Sequence, residues 1–147
     1  MKSKLIFSLV ASTLLLTVIA ADQAHKSAII HLNHQTVDAA FAKGGPLVAT
    51  NNFKVLAGRR TVPGEVEIHE RDTDIFYIVD GTATFVTGGK AIDQRSSGPG
   101  EMRAKELVGG EDRVLNKGDV IVIPKGIPHW FKEVNGTFLY LMVKVSE

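Results

Sequence analysis

The residues able to do chemistry in this chain concentrate at positions 63–81, PGEVEIHERDTDIFYIVDG. Glu65, Glu67, His69 and Arg71 are separated by single residues, and a pleated strand sets every second side chain on one face. That face carries carboxylates, an imidazole and a guanidinium in a row, and the next turn returns the Asp74 carboxylate toward them. A second stretch, 118–129, reads GDVIVIPKGIPH, and its Pro- and Gly-stiffened loop delivers His129. Imidazole nitrogens and carboxylate oxygens are donors for one divalent metal ion, and these ligand types do not choose among Fe, Mn, Ni and Zn. The chain has no cysteine, which excludes thiolate ligands, thiol nucleophiles and disulfides. The plainer alternative is a hydrogen-bonded core histidine among glycines that only make turns.

The elements that must position these groups read almost entirely as short strands. β-branched and aromatic runs at 53–57, 65–69, 75–79, 82–87, 113–115, 120–123, 129–134 and 138–145 are punctuated by turn signals. Asp72-Thr73-Asp74, Asp80-Gly81, Gly88-Gly89 and Asn135-Gly136 are each expected to turn the chain, several as hairpins. Alternation from Asp74 predicts Phe76 and Ile78 on the inner face and Tyr77 outside. The Gly-, Ser- and Lys-rich segment 90–112 is long for a hairpin loop, so it holds a further strand pair near 101–108 or hangs over one end. Thr36 is expected to cap one short helix with Val37, Ala40 and Phe41 on its apolar face, ended by Gly44-Gly45-Pro46. His25, His31 and His34 have spacings that match no tight chelate, and residues 22–35 read as an arm or an edge strand.

Both chemical stretches resemble the signature motifs of the cupin superfamily. Gly118, Pro124, Gly126 and His129 keep every spacing of the second motif, and its final Asn is replaced by Glu133. In the first motif Asp74 and Gly81 keep the closing spacing, but the His-x-His pair is broken. Taking His69 as the first histidine puts Arg71 in place of the second and leaves the gap to Asp74 one residue short; taking it as the second, with Glu67 in place of the first, fits that gap and is the favoured register. The resemblance implies an all-β double-stranded β-helix, a jelly-roll barrel, carrying one short N-terminal helix. It also implies that His69, Asp74 and His129, with Glu67, hold one divalent metal ion inside the barrel. Arg71 and Phe76 are then expected to bind substrate, Arg71 by gripping the carboxylate of a small organic acid. Cupin-type activity implies a dioxygenase, isomerase or lyase acting on a small carboxylated or aromatic molecule; the alternative is a non-catalytic small-molecule-binding cupin. Pairing into a homodimer is a further expectation, with Ile29 and Ile30 as apolar residues otherwise unexplained.

The 147 residues divide, on this reading, into a signal peptide at 1–20, an arm and short helix at 21–50, and a barrel domain at 51–147. Lys2 and Lys4, the apolar run from Leu5, and small residues before Ala21-Asp22 are the pattern of a cleaved export signal. The expected location is periplasmic or secreted, with no stable membrane anchor after cleavage. Loss of residues 1–20 removes Lys2 and Lys4, so 17 basic residues become 15 against 16 acidic ones and the charge moves from +1 to −1. No basic cluster with interleaved aromatics remains, which argues against nucleic acid. Arg103, Lys105 and Arg113 are expected at the rim or on the solvated surface.

Overall fold

The computed structural model describes residues 29–146. The chain divides into two units, Met1–Ile30 and His31–Glu147. Of the first, only Ile29 and Ile30 are described, so the expected signal peptide, the cleavage point and His25 lie outside the described residues. No helix among the described residues is long and apolar enough to cross a membrane.

The second unit is a jelly-roll β-barrel preceded by one helix, as the motif resemblance implied. Helix α1, His34–Lys43, presents half-buried Val37, Ala40 and Phe41 toward the barrel. It starts one turn earlier than expected: Asn33 is the cap, its Oδ1 accepting from the Thr36 amide at 3.0 Å. Thr36 itself sits inside the first turn and adds a hydroxyl bond to the same oxygen. Gly44, at φ +75°, ends the helix, and its amide donates to Ala40 O at 2.7 Å. Glycine adopts this positive φ without the strain a Cβ would bring.

Strands follow as β1 (Gly45–Ala49), β2 (Phe53–Arg60), β3 (Val66–His69), β4 (Asp72–Thr87), β5 (Lys90–Ile92) and β6 (Arg95–Gly98). They continue as β7 (Glu101–Ala104), β8 (Glu106–Val108), β9 (Glu111–Asn116), β10 (Val120–Ile123) and β11 (His129–Ser146). The main sheet runs β1-β2-β11-β3-β7-β6, with β4 joined to β11, β10 and β9; β5 and β8 form a separate pair. The segment 90–112 is therefore largely strand, where either one further pair near 101–108 or an overhang at one end was expected.

Two expected hairpins are absent. Asp80-Gly81 and Asn135-Gly136 lie inside single long strands, β4 and β11, which pair antiparallel from Asp72↔Ser146 to Thr87↔His129. Both glycines adopt positive φ, +83° at Gly81 and +71° at Gly136, near the point where the ladder loses register between Asn135 and Leu139. A Cβ on Gly81 would stand 2.3 Å from Thr137 O. These positions bend continuous strands so that each serves both walls of the barrel, which is the role of a bulge rather than of a turn.

Alternation fills the interior. Phe76, Phe85 and Phe138, at most 2% exposed, pack with Ile78, Leu115, Ile123, Phe131 and Tyr140. Each fully buried aromatic of this kind contributes about 1.5–3 kcal/mol. A second cluster, Val66, Ile68, Val86, Ala91, Ala104 and Leu107, lies on the other side of β3.

Candidate metal centre

Strand β3 separates apolar packing from chemistry. Val66 and Ile68 face the second core cluster, and alternation puts Glu67 and His69 on its other face. Antiparallel pairing sets Glu67 opposite His129 on β11, and opposite Arg103 on β7. His69 sits opposite Glu101 on β7.

One ligand atom each from Glu67, His69 and His129 lie within 4.8 Å of one another. Asp74, near the start of β4, brings Oδ2 to 3.3 Å from His69 Nε2 and 3.9 Å from His129 Nε2. The Glu67 carboxylate stands 3.5 Å from His69 Nε2. Both histidines are braced through the opposite ring nitrogen: His69 Nδ1 meets Glu101 Oε2 at 2.6 Å, and His129 Nδ1 donates to Ile127 O at 3.0 Å. A histidine so held turns its Nε2 lone pair toward the centre, the arrangement that orients metal-binding imidazoles. His129 is 3% exposed, and its Nε2 has no hydrogen-bond partner. A buried lone pair without a proton donor, facing carboxylate oxygens, fits a bound cation.

Carboxylates and imidazoles this close to one another shift each other's titration. Burial alone would lower the His69 imidazole, but the Asp74 and Glu67 carboxylates outweigh it and push it up to about 9. Burial would raise Glu67, yet His69, Arg103, His129 and Arg60 together hold it down at about 2. Asp74 is lowered as well, because His69 and Lys144 overcome its burial. Burial pushes His129 down, so it stays a neutral donor.

Of four flanking groups, Arg60, Lys144 and Glu101 were not anticipated, and Arg103 was expected only at the rim or on the solvated surface. Arg60 Nη2 donates to Glu67 Oε1 at 3.1 Å, its Nε lies 3.3 Å from the Tyr140 hydroxyl, and its guanidinium sits 4.5 Å over the Phe131 ring. Lys144, 8% exposed, places Nζ 3.1 Å from Asp74 Oδ1. Glu101 and Arg103 come from β7. Glu67, His69, Ser97, Glu101, Arg103, Met142 and Lys144 line a cavity of about 370 Å³.

The structure thus gathers four of the expected residues, Glu67, His69, Asp74 and His129, and separates the other two. Arg71 does not share the face of Glu67 and His69. β3 ends at His69, whose carbonyl accepts from the Gly126 amide at 2.7 Å, and Glu70 donates to Gly100 O at 2.9 Å. The chain bends at 70–71, the alternation is lost, and Arg71 is exposed with its stem against Gly100. Phe76 does lie on the inner face, but it is 2% exposed and stacked on Phe131 at 5.9 Å, within the core rather than the cavity lining. Asp72 and Thr73 begin β4 instead of forming a turn.

A family model described as Cupin matches residues 64–147, more than half of the chain. Among solved structures, a protein from Bacillus halodurans is similar with a TM-score of 0.57 at 14% identity, over 84% of this chain and 85% of its own. A cupin protein from Bacteroides fragilis reaches 0.51 at 14% identity, over 70% of this chain and 75% of its own. A DMSP lyase from Ruegeria pomeroyi reaches 0.50 at 16% identity, over 71% of this chain. This chain spans only 46% of that lyase. Likeness at such identities concerns the fold alone. No curated protein matches the chain.

Proposed function

The chain belongs to the cupin family, and on that premise we propose that it is an exported protein whose barrel holds one divalent metal ion and a small carboxylated or aromatic ligand. The observation that carries this reading is the convergence of Glu67, His69 and His129 donor atoms within 4.8 Å beneath a cavity of about 370 Å³. Glu67, His69 and His129 would hold the ion, with Asp74 beside them. A divalent ion there supplies Lewis-acid polarisation of a ligand oxygen. The chain's own groups do the rest. Glu101 fixes the His69 ring and the Ile127 carbonyl fixes that of His129, while Arg60 keeps the Glu67 carboxylate in register. Aromatic packing around Phe85 and Phe131 keeps water from the buried side. Dioxygenase, isomerase and lyase chemistry are the reaction classes this reading admits.

Elemental analysis of protein from metal-replete growth tests it. Wild type should carry about one equivalent of metal. His129→Ala should lose the metal while keeping its circular dichroism spectrum, because the turn residues Pro124 and Gly126 are untouched. Metal retained in that variant would place the centre elsewhere. A second reading, non-catalytic capture of a small molecule, is favoured by the Lys144 ammonium 3.1 Å from Asp74, which neutralises one carboxylate without any metal. Wild type devoid of metal would decide for it. Export is supported by the charge and hydropathy order of residues 1–20, and a mature N-terminus at Ala21 or Asp22 is the expected sequencing result; Met1 retained in the membrane fraction would refute export. A homodimer is supported by the exposure of Ile29 and Ile30. Light scattering that gives the monomer mass would refute it.

A further inference from the structure

Six ion pairs join seven charged side chains around the cavity into one network. Arg60 reaches Glu67 at 3.1 Å, and Arg103 reaches Glu67 at 3.8 Å and Glu101 at 3.5 Å. Lys144 reaches Asp74, Asp72 and Glu101 at 3.1, 3.7 and 3.9 Å. Four carboxylates therefore face three cations, and with both imidazoles neutral, as ligation of a metal requires, the network carries one negative charge. A divalent ion at Glu67, His69 and His129 converts that into one positive charge in excess. Partly buried charge left unbalanced is costly, so the loaded cavity favours an occupant that supplies a single negative charge.

Resting on the reading of this site as a metal centre, we infer that the occupant is a small monocarboxylate and that Arg103 is the residue that grips it. Arg60 is committed to Glu67, Tyr140 and the Phe131 ring, and lies outside the cavity lining. Lys144 is committed to Asp74 and is 8% exposed. Arg103 lines the cavity, and both of its carboxylate contacts are longer than a hydrogen bond. Its one short contact is from Nη1 to the Met102 carbonyl at 3.1 Å. The planar fork is thus open to a bidentate carboxylate. Met142 offers the same ligand an apolar wall, and Ser97 a hydroxyl at the rim. The guanidinium that sequence alternation assigned to Arg71 is supplied instead by Arg103 on the neighbouring strand β7, opposite Glu67.

The test uses the full-length mature protein loaded with Mn(II), titrated by calorimetry with butyrate and benzoate, with butyramide and benzamide as neutral isosteres, and with succinate as a dianion. The carboxylates should bind the loaded protein about tenfold or more tightly than the amides do, and more tightly than they bind the metal-free protein. Arg103→Gln should keep one equivalent of Mn(II) and lose about tenfold or more in carboxylate affinity. Equal binding of acids and amides to wild type overturns the inference without recourse to any variant. So does unchanged benzoate affinity in Arg103→Gln, or succinate binding more tightly than either monoanion. Wild type that takes up no Mn(II) overturns the metal reading and this inference together, whereas loaded wild type that ignores carboxylates overturns the inference alone.

Discussion

In Glu101→Gln, the oxygen that stands 2.6 Å from His69 Nδ1 keeps its shape and loses its charge. Two consequences act in the same direction. The His69 ring loses the carboxylate that makes its far nitrogen a stronger donor, and Lys144 and Arg103, 3.9 and 3.5 Å from Glu101, lose a countercharge. The cavity becomes more positive as its imidazole becomes less basic, and both changes disfavour a dication. Loss of such an outer partner weakens metal binding about 10- to 100-fold, which corresponds to roughly 1.4–2.7 kcal/mol. The assay is competition of metal-free protein against a chromophoric chelator, with Zn(II) or Mn(II), for wild type and variant. Glu106→Gln, exposed on β8 and outside the ion-pair network, is the control for a general charge effect. Affinity in Glu101→Gln within threefold of wild type, or an equal loss in Glu106→Gln, would refute the bracing role.

Metal-free protein should be less stable at pH 9.5 than at pH 6. His69 is raised from 6.5 to about 9, so its contribution is fully present below pH 6.5 and disappears as the pH climbs through 9. The full effect is on the order of 3 kcal/mol, and His129, which is lowered, titrates below this window; a urea midpoint flat between pH 6 and 9.5 would count against the coupling. Gly58→Ala should cost about 1–3 kcal/mol: the new Cβ would lie 2.4 Å from the Tyr140 ring, whose hydroxyl meets Arg60. Gly98→Ala, where the nearest atom is 3.9 Å away, should be nearly neutral, and thermal melts that rank the two alike would show that the ring can yield. Asn33→Ala should cost about 1 kcal/mol by removing the α1 cap; an unchanged melting temperature would mean that the helix contributes nothing to the cooperative unit.

What was legible in the sequence was whatever repeats locally. The Gly118-Pro124-Gly126-His129 spacing and the Glu67-x-His69 alternation survive in the structure because each depends on a single strand or loop. Lys144 was legible in principle. Phe138, Tyr140, Met142 and Lys144 alternate along one strand, and the first two are buried, so the fourth faces inward with them. Glu101 and Arg103 were not, because only the β3–β7 register sets them opposite His69 and Glu67, and nothing local fixes that register. Asp80-Gly81 and Asn135-Gly136 misled for a different reason. The same positive-φ chemistry serves a hairpin turn and a bend within a long strand, and the partner strand decides between them. Arg71 failed because alternation holds only while a strand lasts, and β3 stops at His69.

The course of β11 has a kinetic consequence. His129 opens this strand and Lys144 lies near its end, yet both approach Asp74, at 3.9 and 3.1 Å. Glu67 and His69 on β3, Asp74 on β4 and His129 on β11 come from three strands, so no single early hairpin can offer the whole donor set. A metal ion should consequently leave the folding rate untouched and slow unfolding instead, since its contacts are absent from the transition state until docking is complete. The ion would then act as a latch on a finished barrel and not as a nucleus for it, with the long-range pairing of the two arched strands expected as the slow step.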